Sequence, residues 1–411
     1  MNEALQQVMG LLAVAMMVAM AARRLRLPYT IGLALVGGLL ALFGTRRLPA
    51  LTSELLYYLI LPPLLFEAAL ALRWRELKRD LVPILALAVA GTVAAMAVVA
   101  AALFYLMGWP LSSALVFAAL ISATDPVAII AIFKDIGLEG RLRLLVEAES
   151  LLNDAAAAVL FSLALAFALA GSGGSPTAPG AGSLTALGGA WDLLRIVGGG
   201  AAIGVVFGFG VTFAARGTRE HLVELTLTAI AAFGSFLFAE HFHDSGVLAT
   251  VIAGLIIGNF QAERADTHFF STRGRDFMSD FWEFAAFVAN SMVFLLIGAR
   301  VAALPYQHYS WTIYASILAI SLAARAIAVY PLAAMFSRSR WRIGRGEQFV
   351  LWWGGLRGAL ALALALSLPA RLPLHDEIVL VTFFVVGFSI VVQGLTMPLA
   401  LRRLGFLRRD P

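Results

Sequence analysis

The chain has 411 residues, 61% of them hydrophobic and only 13% charged, where a soluble domain carries roughly 25% charged residues. That composition makes the bilayer its solvent and excludes a soluble enzyme. The net charge of +5 is almost wholly arginine, with Lys78 and Lys134 the two lysines, and the absence of cysteine excludes disulfides, thiolate metal sites and cysteine nucleophiles.

Apolar runs broken by glycine, proline or charge clusters predict an all-α polytopic membrane protein of about thirteen spans. They fall near 4–22, 28–44, 51–71, 81–107, 111–133, 143–170, 191–215, 222–240, 246–260, 278–303, 310–336, 348–369 and 376–401. The first run lacks a basic leader and is followed by a basic cluster, so it reads as a retained helix and not a cleaved signal peptide. With the N-terminus outside, 23 of the 30 Lys and Arg fall in inner loops and four, Arg46, Arg47, Arg300 and Arg371, in outer ones. This bias predicts a multi-pass protein of the cell (inner) membrane with its N-terminus outside and its C-terminus cytoplasmic. It also assigns the basic charge to topology, so no nucleic-acid partner is expected.

Between the sixth and seventh spans, 171–189 is uncharged and rich in Gly, Ser and Pro, as a flexible outer linker would be. The whole chain then reads as a single transmembrane transporter domain, 1–411. Its first six-helix half is 1–170, the linker and linking helix are 171–221, and the second half is 222–411. The fifth span carries "ISATDPVAII", where Pro126 breaks the helix. The twelfth carries "WWGGLRGAL", with Gly354, Gly355 and Gly358 around Arg357. The two are seven spans apart, so they occupy matching positions in halves of opposite topology. Paired interruptions in an inverted repeat (helices 1–6 and 8–13) point to a transporter's binding site.

A charge at membrane depth costs about 2.5–3.5 kcal/mol on insertion scales and marks function. In chain order these residues are Glu67, one turn after two prolines; Asp125, beside Thr124 and Pro126; Glu149 and Asp154 in "ESLLND"; Arg325; and Arg357. Glu283 and Asn290, seven apart on the tenth span, are lesser candidates, read as cavity lining or as interhelical hydrogen-bond partners. On the sixth span, residues four apart share a face. Ser150 and Asp154 offer a hydroxyl and a carboxylate to a small cation, while Glu149 and Asn153 face a fixed partner, for which Arg325 is the expected counter-charge. The Thr124 carbonyl freed by Pro126 is a further ligand. An all-oxygen set suits Na+, Li+, K+ and H+ and does not suit zinc or copper. Asp154, once buried, can hold a proton or a cation but hardly both, which would couple the two fluxes.

The histidines fall in loops or at span ends, and "EHFHD" is too sparse for a metal site. Trp109, Trp191, Trp311, Trp341, Trp352 and Trp353 read as interfacial anchors, and the glycines of "LALVGGLLALFG" as points of close helix packing. A channel, or an intramembrane aspartyl protease built on Asp125 and Asp154, would leave "GGLRGA" and Arg325 without a role.

"FEAAL", "TDPVA", "ESLLND", "AARAIAVY", "GGLRGAL" and "VVQGLT" together resemble the sodium/proton antiporters, in their electroneutral NhaP and sodium/hydrogen exchanger branch. The resemblance runs through essentially the whole chain. It implies the NhaA/NhaP-like antiporter fold, with the two interrupted helices crossing. It implies an ion site of Asp154, Asp125, Ser150, Thr124 and Glu67, supported by Glu149, Asn153, Arg325 and Arg357. Asp154 would exchange one Na+ (or Li+) for one H+; K+/H+ or other monovalent-cation antiport is the alternative left open by oxygen ligands. It implies a homodimer in membrane lipid, with no cofactor and no enzyme activity, serving pH homeostasis and salt tolerance. A mobile core would comprise about 81–170 and 310–411 with part of the tenth helix, and the rest would form the dimerisation domain.

Overall fold

A computed structural model describes residues 2–25, 29–43, 52, 54–170, 186–218, 220–263, 270–304 and 310–406. It is helical throughout. The helices are α1 (Asn2–Leu25), α2 (Tyr29–Leu42), α3 (Leu55–Ala71), α4 (Trp74–Met107), α5 (Leu111–Ser122), α6 (Val127–Asp135), α7 (Arg141–Ala170), α8 (Ala186–Ala215), α9 (His221–His241), α10 (Gly246–Glu263), α11 (Thr272–Ala303), α12 (Trp311–Met335), α13 (Arg345–Trp353), α14 (Ala359–Leu366) and α15 (His375–Arg403). Each predicted span is occupied by helix. Seven continuous helices among the described residues are long and apolar enough to cross a membrane, and the fifth and twelfth spans are each split in two.

The expected linker, 171–189, lies outside the described residues up to 185; its last four residues already belong to α8. His268, His308, Arg46, Arg47 and the last five residues also lie outside them.

Two groups of helices pack among themselves. α4 packs on α5 and α12, α5 on α7, and α14 on α5 and α15. In the other group α2 lies along α11, and α10 lies between α8 and α3. The α2–α11 contact is main chain on main chain. A Cβ added at Gly37 would meet the Leu295 carbonyl, and one at Gly298 would meet the Ala34 carbonyl, so only glycine permits this approach.

The basic ends of α4, α7 and α13 are joined through Arg141. Its Nε donates to Asp80 Oδ1 at 2.9 Å and its Nη1 to the Arg342 carbonyl at 2.8 Å. Three tryptophans depart from the interfacial reading. Trp109 is buried, edge-on to Phe117. Trp352 and Trp353 donate inward, to the Leu322 carbonyl at 3.0 Å and to Thr396 Oγ1 at 2.8 Å. An indole N–H that finds a partner inside the helix group is held there. Trp191 and Trp311, by contrast, are exposed at helix ends.

Candidate ion-binding site

The two interruptions meet. Between α5 and α6 the helix is interrupted over Ala123–Pro126, and between α13 and α14 over Gly354–Gly358. The Asp125 N–H donates to the Leu356 carbonyl at 2.7 Å, so the breaks cross by a backbone bridge. Gly358 permits the approach, because a Cβ there would fall on the Asp125 carboxylate.

A broken helix at membrane depth must satisfy its freed backbone groups within the protein, and side chains from three helices, with Arg357 of the break itself, do this here. Arg357 Nη1 donates to the Ala123 carbonyl at 2.9 Å. The Ser150 hydroxyl donates to the Thr124 carbonyl in a short hydrogen bond. Arg325 Nη2 donates to the Leu351 carbonyl at 3.1 Å, and Gln393 Nε2 to the Trp353 carbonyl at 3.0 Å. The Arg357 N–H is accepted by Ser389 Oγ at 3.2 Å. Ser389 and Gln393 bracket a π-helical segment of α15, Ser389–Gln393. Such bulges are frequent at functional sites.

Of the expected site residues, Thr124, Asp125, Asp154 and Glu67 line one cavity of about 70 Å3, with Glu147 and Asn290. That is room for a small cation with part of its water shell. Asp125 Oδ1 accepts the Val127 N–H at 2.9 Å in the first turn of α6, where a helix N-terminus favours an anion. Ser150 stands behind Thr124, buried and turned onto its carbonyl, so two expected ligands touch each other.

Glu149 and Asn153 turn away from the cavity. Both Glu149 oxygens accept from Arg325, Oε1 from Nη1 and Oε2 from Nη2, each at 2.9 Å. Asn153 Nδ2 donates to Glu149 Oε1 at 3.2 Å. Arg325 and Glu149 are both almost fully buried, the setting in which a bidentate pair is well matched. Arg357, also buried, spans the crossing.

Glu283 and Asn290 separate. Asn290 lines the cavity, whereas Glu283 is exposed and pairs with Lys134 of α6 at 3.3 Å. Seven residues along a helix keep the face but change the depth by about 10 Å.

The sequence profile described as sodium/hydrogen exchanger, transmembrane, matches residues 11–403. The chain belongs to the sodium/hydrogen exchanger family. This exchanger is 39% identical to the Na+/H+ antiporter ApNhaP of Aphanothece halophytica over 93% of its own length and 70% of that protein. It is 33% identical to the Na+/H+ antiporter NhaH of Halobacillus aidingensis, with 97% of each chain covered. Its fold is similar to that of the sodium proton antiporter MjNhaP1 of Methanocaldococcus jannaschii, with a TM-score of 0.74 at 20% identity, covering 98% of this chain and 99% of that one. These relatives are named as transporters and not as enzymes.

Three positions at the crossing or in its cavity stand outside the expectations from the sequence. Gln393 and Ser389 are polar residues inside the last apolar span, which is itself a signal. Glu147 lies seven residues before Asp154 and so on the same helical face.

Proposed function

We propose that the chain exchanges Na+ (or Li+) for H+ across the cell membrane, one for one, with Asp154 as the group that carries either ion. The observation that carries this reading is the cavity at the crossing, where Asp154 and Asp125 face a space sized for one cation. Family membership and the named antiporter activity of the relatives support it.

The mechanism follows from charge. A bare carboxylate in a low-dielectric site is costly, and a bound proton or cation removes that cost. Asp154 therefore crosses loaded, with one ion or the other, and the return trip needs the competitor. Asp125, Thr124 and Glu67 would complete the oxygen shell, with Ser150 holding the Thr124 carbonyl in position. Asn153 carries no charge and Glu149 is spent on Arg325, which supports a single exchanging carboxylate and hence electroneutral exchange. Helices α4–α7 and α12–α15, with part of α11, would form the moving core and the rest the dimerisation domain of a homodimer. The basic ends of α4, α7 and α13 would face the cytoplasm.

The test uses purified protein in liposomes with a trapped pH dye and voltage clamped by ionophore. A Na+ gradient should move protons in the wild type, independently of voltage, and not in Asp154→Asn. Exchange surviving in Asp154→Asn would assign the carrier elsewhere. A folded wild type that moves no protons with Na+, Li+ or K+ would overturn the antiporter reading.

A further inference from the structure

Asp154 is not the only carboxylate of α7 in the cavity. Glu147, Leu151 and Asp154 stand at i, i+4 and i+7 of α7 and all line the cavity, so they form one stripe with Leu151 between two carboxylates. Seven residues of helix set Glu147 about 10 Å nearer the start of α7, which is the end that Arg141 joins to Asp80 and the 341–342 segment. Glu147 thus stands on the way from that aqueous end to Asp154.

Its counter-charge is loose. Arg143 Nε lies 3.6 Å from Glu147 Oε2, one turn earlier on the same helix, with side-chain exposures of 26% and 14%. This differs from the Glu149–Arg325 pair, where two 2.9 Å hydrogen bonds and 5% and 3% exposure hold both partners. A separation of 3.6 Å with partial access to water is a contact that an incoming cation can replace. Lys134, the other cation at this end of the cavity, is already paired with Glu283. On the opposite wall stands Glu67 of α3.

We propose that Glu147 is the uptake carboxylate of this cavity: it receives a partly hydrated monovalent cation at the Arg143 mouth, in place of Arg143, and passes it past Leu151 to Asp154. This rests on the exchange reading above. It adds a positioning residue that sets cation affinity without carrying the exchanged proton. Replacing it removes attraction at the mouth and leaves the chemistry at Asp154 intact.

The experiment measures Na+/H+ exchange against Na+ concentration in the same liposomes. Glu147→Gln should raise the half-saturating Na+ concentration on the order of tenfold, the effect of one charge acting over about 10 Å at an effective dielectric near 20, while the maximal rate stays within about twofold. Glu147→Asp should restore most of the affinity. Arg143→Gln should lower half-saturation, because the competing counter-charge is gone. Glu147→Gln with unchanged half-saturation overturns the proposal. So does a variant with unchanged half-saturation and a lost maximal rate, or an Asp variant no better than Gln, since either would make Glu147 merely structural. Wild type and Asp154→Asn run alongside. If the wild type does not exchange, the function reading has failed; if it exchanges and Asp154→Asn does not, an unaffected Glu147→Gln sinks this inference alone.

Discussion

Arg325 of α12 grips both carboxylate oxygens of Glu149 on α7 at 2.9 Å, and the same guanidinium donates to the Leu351 carbonyl at the break of the twelfth span. One buried cation therefore fixes the helix that bears Asp154 against the end of α13.

Removing either partner leaves the other charged and buried. Arg325→Gln or Glu149→Gln should each cost about 3–5 kcal/mol, read as a lower melting temperature in detergent. The double variant Glu149→Gln with Arg325→Gln should melt above either single one, because no uncompensated charge remains. If the two single losses simply add, the pair is not the energetic unit the geometry describes.

Gly358→Ala tests the crossing directly. The added methyl falls on the Asp125 carboxylate, so Asp125 or the bridge to Leu356 must shift. Exchange should fall about a hundredfold, the cost of roughly an ångström of misplacement at a reacting centre. A fully active, normally expressed Gly358→Ala would show that the breaks tolerate a wider crossing.

Gln393→Leu removes the donor to the Trp353 carbonyl. Leaving a buried carbonyl unpaired costs about 1–3 kcal/mol, which thermal melting should show. Gln393 does not line the cavity, so the half-saturating Na+ should change less than in Glu147→Gln. A Gln393→Leu protein as stable as wild type would mean that water or a shifted side chain replaces the bond.

Arg141→Met breaks the junction among α4, α7 and α13. Its salt bridge to Asp80 is 2.8 Å long but partly exposed, at 33% and 14%, so solvent screens it and the loss should be on the order of 1 kcal/mol. The deficit should shrink in high salt. A deficit that is large and indifferent to salt would place the value of Arg141 in packing or in its bonds to the Trp341 and Arg342 carbonyls.

The breaks were legible because proline and clustered glycines have few other reasons to interrupt an apolar run. The charged residues were legible because each costs energy at that depth. Partnership was harder, since it depends on which helices become neighbours. Glu149 and Arg325 could be matched by charge alone, each being short of a counter-ion. Glu283 and Asn290 could not be separated, because a shared helical face says nothing of where the helix meets water. Glu147 was passed over for a related reason. It stands near the start of the sixth span beside Arg143, and only the packing of α3 and α14 around the cavity sets it apart. Ser389 and Gln393 belong to a π-helical turn that no sequence period announces, and that turn aims them at the break.

The main-chain contact between α2 and α11 has a mechanical consequence. Side chains can swing aside when helices slide, but the Ala34 and Leu295 carbonyls against Gly298 and Gly37 have no rotamers to yield. A slip of one residue, about 1.5 Å along the axis, would carry each glycine off the carbonyl it admits. The two helices are thus a single post, locked in register, and they shift as one body if they shift at all.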